Sequence, residues 1–260
     1  MWELELEEMK RAALLAEKKI LEVYESSFDV EFKDDDSPVT EADKEADKII
    51  REYLHGKFPN HAFLTEESVD TKERLEAEWI FIIDPVDGTH EFVKRNGGFA
   101  TNIALCHKHE IVASVINLPA KKKLYFASKG NGAFRQEAGK EPERIHCSNR
   151  VGVNLRILIS SSWYTDKERA LLAKNKKLFE SITPCGASLK FCSIAEGNAD
   201  MAIRYNIGTK EWDTAAGDIL ISESGGYFLQ PDLTKFSYNK EDVHNHDGYI
   251  ILNDLKNALE

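Results

Sequence analysis

The stretch Trp79-Ile80-Phe81-Ile82-Ile83-Asp84-Pro85-Val86-Asp87-Gly88-Thr89 decides the reading of the fold. Its first five residues are apolar and rich in aromatic and β-branched side chains, which predicts a buried strand over residues 79–83. The strand is expected to stop abruptly at Asp84-Pro85. Ligand sites of layered folds commonly lie at such strand ends, and an unpaired carboxylate buried there would be costly. Proline at 85 turns the backbone, so that Asp84, the carbonyl of Val86 and Asp87 can converge on one hard cation. Mg²⁺ suits such a set, because it takes oxygen ligands in octahedral geometry. Gly88-Thr89 then opens a short helix to about residue 94, whose free N–H groups face an anion beside the metal. Carboxylates next to a helix N-terminus make an arrangement suited to phosphate hydrolysis.

Upstream, Leu6, Met9, Ala13, Ala16, Ile20 and Tyr24 mark a long amphipathic helix over about residues 3–27. A short strand is expected over 28–32, then a break at 34–38 and a second helix from Thr40 to about residue 58. Thr40 and Asp43 have the spacing of a capping box. Downstream, residues 99–134 read as a meandering antiparallel sheet broken by polar and glycine turns. After residue 150 the texture alternates: strand 156–160, helix 165–179, helix 186–197, strand 200–204, helix 214–223, and strands 227–229 and 249–252. Two subdomains are therefore expected, 1–150 with most metal ligands and 151–260 with the residues that select substrate.

The 260 residues carry 34 basic against 45 acidic side chains, a net charge of −11, with 42% hydrophobic residues. That balance excludes disorder and argues against a basic stripe that tracks a nucleic-acid polymer. The acidic N-terminus and the lack of a membrane-length apolar run predict a cytoplasmic protein with no membrane partner. Cys106, Cys147, Cys185 and Cys192 are too irregularly spaced for a disulfide framework and read mostly as buried thiols. His107, His109, His244 and His246 lack a nearby third ligand, which argues against zinc.

Three acidic clusters flank breaks in regular structure: Glu66-Glu67, Asp84 with Asp87, and Asp213. Taken singly, each has a plain alternative as surface charge, turn or helix N-cap. Taken together, four ordered segments resemble the Mg²⁺-dependent, lithium-sensitive phosphomonoesterases of the inositol monophosphatase family. The segments are 36–43 (Asp36-Ser37-Pro38-Val39-Thr40-Glu41-Ala42-Asp43), 63–68, 79–92, and 212–226 beginning Trp212-Asp213. The resemblance implies an α/β (α+β) fold, the layered αβαβα sandwich of that family, with the active site where the subdomains meet. It implies two or three Mg²⁺ ions held by Glu66, Asp84, the Val86 carbonyl, Asp87 and Asp213. It also implies that Thr89 holds the attacking water, that Asp43 accepts from the Thr89 hydroxyl, that Glu66 shares the base role, and that the Gly88 and Thr89 amides carry the phosphate. Asp43 keeps its second reading as a helix cap.

Within the family, Gly186-Ala187-Ser188-Leu189-Lys190-Phe191-Cys192 and Arg204 resemble the 3′(2′),5′-bisphosphate nucleotidase branch. That branch places basic groups for a second phosphate where Lys190 and Arg204 stand, and Ser188 joins the substrate set. The alternatives are a snorkelling lysine and a strand-end surface arginine. Trp163, after Ser160-Ser161-Ser162, either stacks on a purine or belongs to the core, and stands where such relatives often have histidine. Ala187 departs from the serine that some nucleotidases carry there. The expected substrate is adenosine 3′,5′-bisphosphate, a by-product of sulfate-donor metabolism, converted to AMP and phosphate. The alternatives are an inositol or sugar monophosphatase and, more remotely, a non-catalytic metal- or phosphate-binding regulator. Many members of the family dimerise, which is compatible with a homodimer here.

Overall fold

The computed structural model describes residues 2–33, 38–160, 164–186, 188–205 and 208–259. Along the chain, α1 (Glu3–Glu25) is followed by the short antiparallel pair β1 (Glu31–Phe32) and β2 (Pro38–Val39), and then by α2 (Glu41–Lys57). A parallel pair, β3 (Ala62–Thr65) and β4 (Trp79–Asp87), leads into α3 (Thr89–Val93). The meander follows as β5 (Ala100–His107), β6 (Glu110–Leu118), β7 (Lys123–Ser128), β8 (Gly132–Glu137) and β9 (Glu143–Ile145). The remainder is β10 (Leu155–Ser160), α4 (Asp166–Lys174), β11 (Phe179–Cys185), α5 (Leu189–Ala195), β12 (Met201–Arg204), β13 (Thr209–Lys210), α6 (Glu211–Glu223), β14 (Tyr227–Leu229), β15 (His244–Asn245) and β16 (Tyr249–Leu252).

β3 to β9 form one sheet in sequence order, and a five-stranded sheet runs β11-β10-β12-β16-β14. Side-chain alternation in the strands assigns the layers. Phe81 and Ile83 of β4 join the core beneath α1 and α2, with Met9, Ala16, Ile50 and Leu54. Their neighbours Ile80 and Ile82 point the other way, into a core shared with α5, α6 and the inner face of the second sheet at Leu158, Ala202 and Ile251. Leu155, Ile157 and Ile159 of β10 then face outward against Leu172 of α4. The order is α1/α2, seven strands, α5/α6, five strands, α4, which is the expected αβαβα sandwich.

The central helix layer depends on close approach. A Cβ at Gly217 of α6 would lie 2.4 Å from the Phe191 ring of α5, so only glycine lets the two helices meet.

Several local expectations are corrected. β4 does not stop at Ile83 but runs on to Asp87, and the strand expected over 28–32 is confined to residues 31–32. The helix expected over 165–179 ends at Lys174, and residues from Phe179 form the unexpected edge strand β11. The helix expected over 186–197 spans only Leu189–Ala195, and α6 begins at Glu211 rather than at Thr214. Among the described residues no helix is long and apolar enough to cross a membrane.

Candidate active site

The end of β4 builds the centre of the site. Asp84 pairs across the ladder with Asn102 and Asp87 with Ala100, so three steps on β4 match two on β5. This one-residue bulge places Asp84 and Asp87, three positions apart, on the same face of the sheet. The Thr101 hydroxyl fixes the bulge by donating to the Pro85 carbonyl at 2.9 Å, and the Val86 amide donates to Asp84 Oδ1 at 3.1 Å. Gly88 follows at φ 90°, a left-handed conformation that favours glycine, and turns the chain into α3. At five residues α3 has little macrodipole, so only its first amides are useful to an anion.

Asp213 arrives from the first turn of α6. It is the third residue of the helix rather than its N-cap, and it accepts the Lys210 amide at 2.6 Å. Carboxylate oxygens of Asp84, Asp87 and Asp213 lie within 4.8 Å of one another, the one such group of three potential metal ligands among the described residues. Burial raises all three. The Asp84 carboxyl goes well above the ordinary carboxylate range, with the charges of Glu66, Asp87, Asp213 and Asp43 adding to its burial. Burial and the charges of Asp87 and Glu66 push Asp213 up to about 7. Asp87 rises through burial, against the opposing bonds from Ser188 and the charge of Lys190. Crowded buried carboxylates of this kind hold their charge comfortably only around a cation, and an all-oxygen donor set fits a hard divalent ion.

Glu66 stands beside this trio and not within it. Its carboxylate is 2.8 Å from the Lys33 ammonium, which also holds Glu67 at 2.6 Å. Burial, with the Glu66 charge, pushes the Glu67 carboxyl up to about 7 against the pull of Lys33.

Asp43 fills both of its expected roles at once. Its Oδ2 accepts the Thr40 amide at 2.8 Å and the Thr40 hydroxyl at 2.7 Å, closing the capping box of α2. Its Oδ1 accepts the Thr89 hydroxyl at 3.1 Å, and the Val86 carbonyl lies 3.2 Å from the same hydroxyl. Burial raises the Asp43 carboxyl, with the Thr40 and Thr89 bonds opposing.

Of the residues expected to meet substrate, Ser188 is placed on Asp87, donating to its Oδ2 from amide (2.6 Å) and hydroxyl (2.5 Å). Lys190 is not a snorkelling surface residue: it is 2% exposed, donates to the Cys185 carbonyl at 3.2 Å, and its charge acts on Asp87. Arg204, half-buried at the end of β12, lies close enough for its charge to act on Asp213. Trp163, Ser161, Ser162, Ala187 and the 34–37 segment lie outside the described residues. Asn102, which stands in a segment (102–105) that also resembles the nucleotidase branch, has no role predicted from sequence, and neither have Lys33 and Thr101. The roles of Asn102 and Thr101 follow from the β4–β5 register, which no local pattern marks, and the charge run beside Lys33 conceals it.

The sequence model of the Inositol monophosphatase family matches residues 3–258. The 3′(2′),5′-bisphosphate nucleotidase CysQ of Salmonella typhimurium is 37% identical over 226 residues, 85% of this chain and 89% of the relative. The protein of the same name from Aggregatibacter actinomycetemcomitans is 33% identical over 231 residues, covering 88% and 85%. The crystal structure of CysQ from Bacteroides thetaiotaomicron, described as a bacterial member of the inositol monophosphatase family, superposes with a TM-score of 0.83. It is 34% identical and covers 97% of this chain and 98% of that one.

Proposed function

The chain belongs to the inositol monophosphatase family, and from that premise we propose that it is a Mg²⁺-dependent 3′(2′),5′-bisphosphate nucleotidase. It would remove the 3′-phosphate of adenosine 3′,5′-bisphosphate, water supplying the oxygen that replaces the ribose oxygen on phosphorus, to give AMP and inorganic phosphate. The observation that carries the reading is the trio of Asp84, Asp87 and Asp213, within 4.8 Å of one another and next to the Thr89–Asp43 pair. Asp84, Asp87 and Asp213, with Glu66 and the Val86 carbonyl, would hold the ions, whose Lewis acidity serves both the attacking and the leaving oxygen.

The chain's own groups do the rest. Thr89 donates its proton to Asp43, so the lone pairs of its hydroxyl are turned out to orient a water. Asp43, raised by burial, is suited to receive a proton through that bond. Gly88 and Thr89 head α3 with no side-chain cap, which leaves their amides for phosphate oxygens. The two subdomains, 1–150 and 151–260, each contribute to the site, the second through Asp213, Lys190 and Arg204.

Lys190 and Arg204, whose charges act on Asp87 and Asp213, support a substrate with a second phosphate. The test is kcat/KM for adenosine 3′,5′-bisphosphate and for inositol 1-phosphate in Lys190→Met and Arg204→Met, since the ratio cancels general damage to the metal centre. The ratio is expected to fall by roughly 10- to 100-fold, the scale of a lost hydrogen bond to a charged group. Parallel loss on both substrates would favour the monophosphatase reading instead.

A further inference from the structure

We propose that Asn102 is a positioning residue for Asp87: it fixes which carboxylate oxygen faces the acidic cluster, and so sets how tightly the site holds a divalent cation. The inference deepens the metal-dependent reading above and rests on it. Asn102 lies on β5 directly across from Asp84, and the bulge in β4 puts Asp84, Asp87 and Asn102 on one face of the sheet. Its Nδ2 donates to Asp87 Oδ2 at 3.3 Å and to the Ser188 hydroxyl oxygen at 2.8 Å. Ser188 sends two further bonds, at 2.6 and 2.5 Å, to the same Asp87 oxygen. With three donors on Oδ2, Asp87 has Oδ1 left for a ligand.

The orientation of the Asn102 amide follows from these partners. Turned over, its carbonyl would abut the Asp87 carboxylate, acceptor against acceptor. In the orientation observed, Asn102 Oδ1 is buried without a hydrogen-bond partner in a residue only 1% exposed. An orphaned buried acceptor is costly, and one beside a cluster of carboxylates marks a missing donor. Because Asn102 belongs to the seven-stranded sheet and Ser188 heads α5, the aim of Asp87 depends on how the two layers meet.

The test is Mn²⁺ binding to the metal-free full chain, followed by calorimetry and by Mn²⁺ spin resonance, in wild type, Asn102→Leu and Asn102→Ser. Melting in EDTA and the Mg²⁺ concentration that half-activates phosphate release are measured alongside. Asn102→Leu is expected to stay folded and to melt in EDTA only slightly below wild type: it removes the orphaned acceptor together with the donor to Ser188, while Asp87 Oδ2 keeps its two bonds from Ser188. Its Mn²⁺ affinity is expected to fall about 10–100-fold, the scale for partners that orient metal ligands, with kcat recovering at high Mg²⁺. Asn102→Ser, smaller and still polar, covers the case in which the leucine variant does not fold, and is expected to lose about 10-fold or more in affinity. A folded variant of either kind that binds Mn²⁺ as tightly as wild type overturns the inference and leaves the nucleotidase reading standing. A wild type that binds no divalent cation overturns both.

Discussion

The hydroxyl of Thr89 and the carboxylate of Asp43, 46 positions apart, are joined by a 3.1 Å hydrogen bond, and the other oxygen of that carboxylate closes the cap of α2. Helix start and candidate water-orienting group are thus one unit. Thr89→Val should lower kcat by about 10²–10⁴-fold, the range for a positioned proton-transfer group, with KM little changed. Thr89→Ser should recover much of the loss. Asp43→Ala should lose activity and, in addition, about 1 kcal/mol of stability with the cap, read by thermal unfolding.

Asp84 is the most buried of the three clustered carboxylates, at 1% exposure. Asp84→Asn keeps its volume and removes its charge, so hydrolysis should drop by more than about 10³-fold, as for groups that act as a unit. The same variant should melt higher than wild type in EDTA, because a crowded buried charge has gone. Retention of more than a tenth of turnover under saturating Mg²⁺ would remove Asp84 from the metal site.

Stability of the metal-free protein should fall as pH rises. Asp213 and Glu67 are pushed up to about 7, and Asp218, half-buried and accepting the Tyr238 hydroxyl at 2.9 Å, up to about 6. Between the unfolded carboxylate range near 4 and these folded values, the native state binds more protons than the unfolded one. The sign of the linkage is therefore negative, and stability drops across about pH 4–7. Melting in EDTA should be higher at pH 5 than at pH 8, and saturating Mg²⁺ should remove the part of the difference that comes from Asp213. Asp213→Asn should shrink the pH dependence without metal. A metal-free melting temperature that rises from pH 5 to pH 8 would contradict the crowding described here.

What was legible in the sequence was local. The apolar run 79–83, the Thr40-x-x-Asp43 spacing and the branched meander announced β4, the start of α2 and the antiparallel sheet, because each depends on neighbouring residues. The clustering of Asp84 with Asp87 was foreseen from Pro85, although the device that achieves it is a bulge within a continuing strand. The N-cap alternative for Asp213 fails because the helix starts earlier, at Glu211, whose buried carboxylate accepts the Asn239 and Lys240 amides far along the chain. β11 was hidden since Phe179-Glu180-Ser181-Ile182-Thr183-Pro184-Cys185 forms an exposed edge without clean alternation. The role of Asn102 is not legible in the sequence because its partner Ser188 is 86 positions away, and no spacing rule reaches that far.

The decisive measurement is phosphate release by the wild-type chain from adenosine 3′,5′-bisphosphate and from inositol 1-phosphate, with Mg²⁺ and with EDTA. A bisphosphate nucleotidase should release one phosphate per adenosine 3′,5′-bisphosphate, with AMP as the other product, no release in EDTA, and a higher kcat/KM than for inositol 1-phosphate. Release that is indifferent to EDTA, or a preference for inositol 1-phosphate, would contradict it.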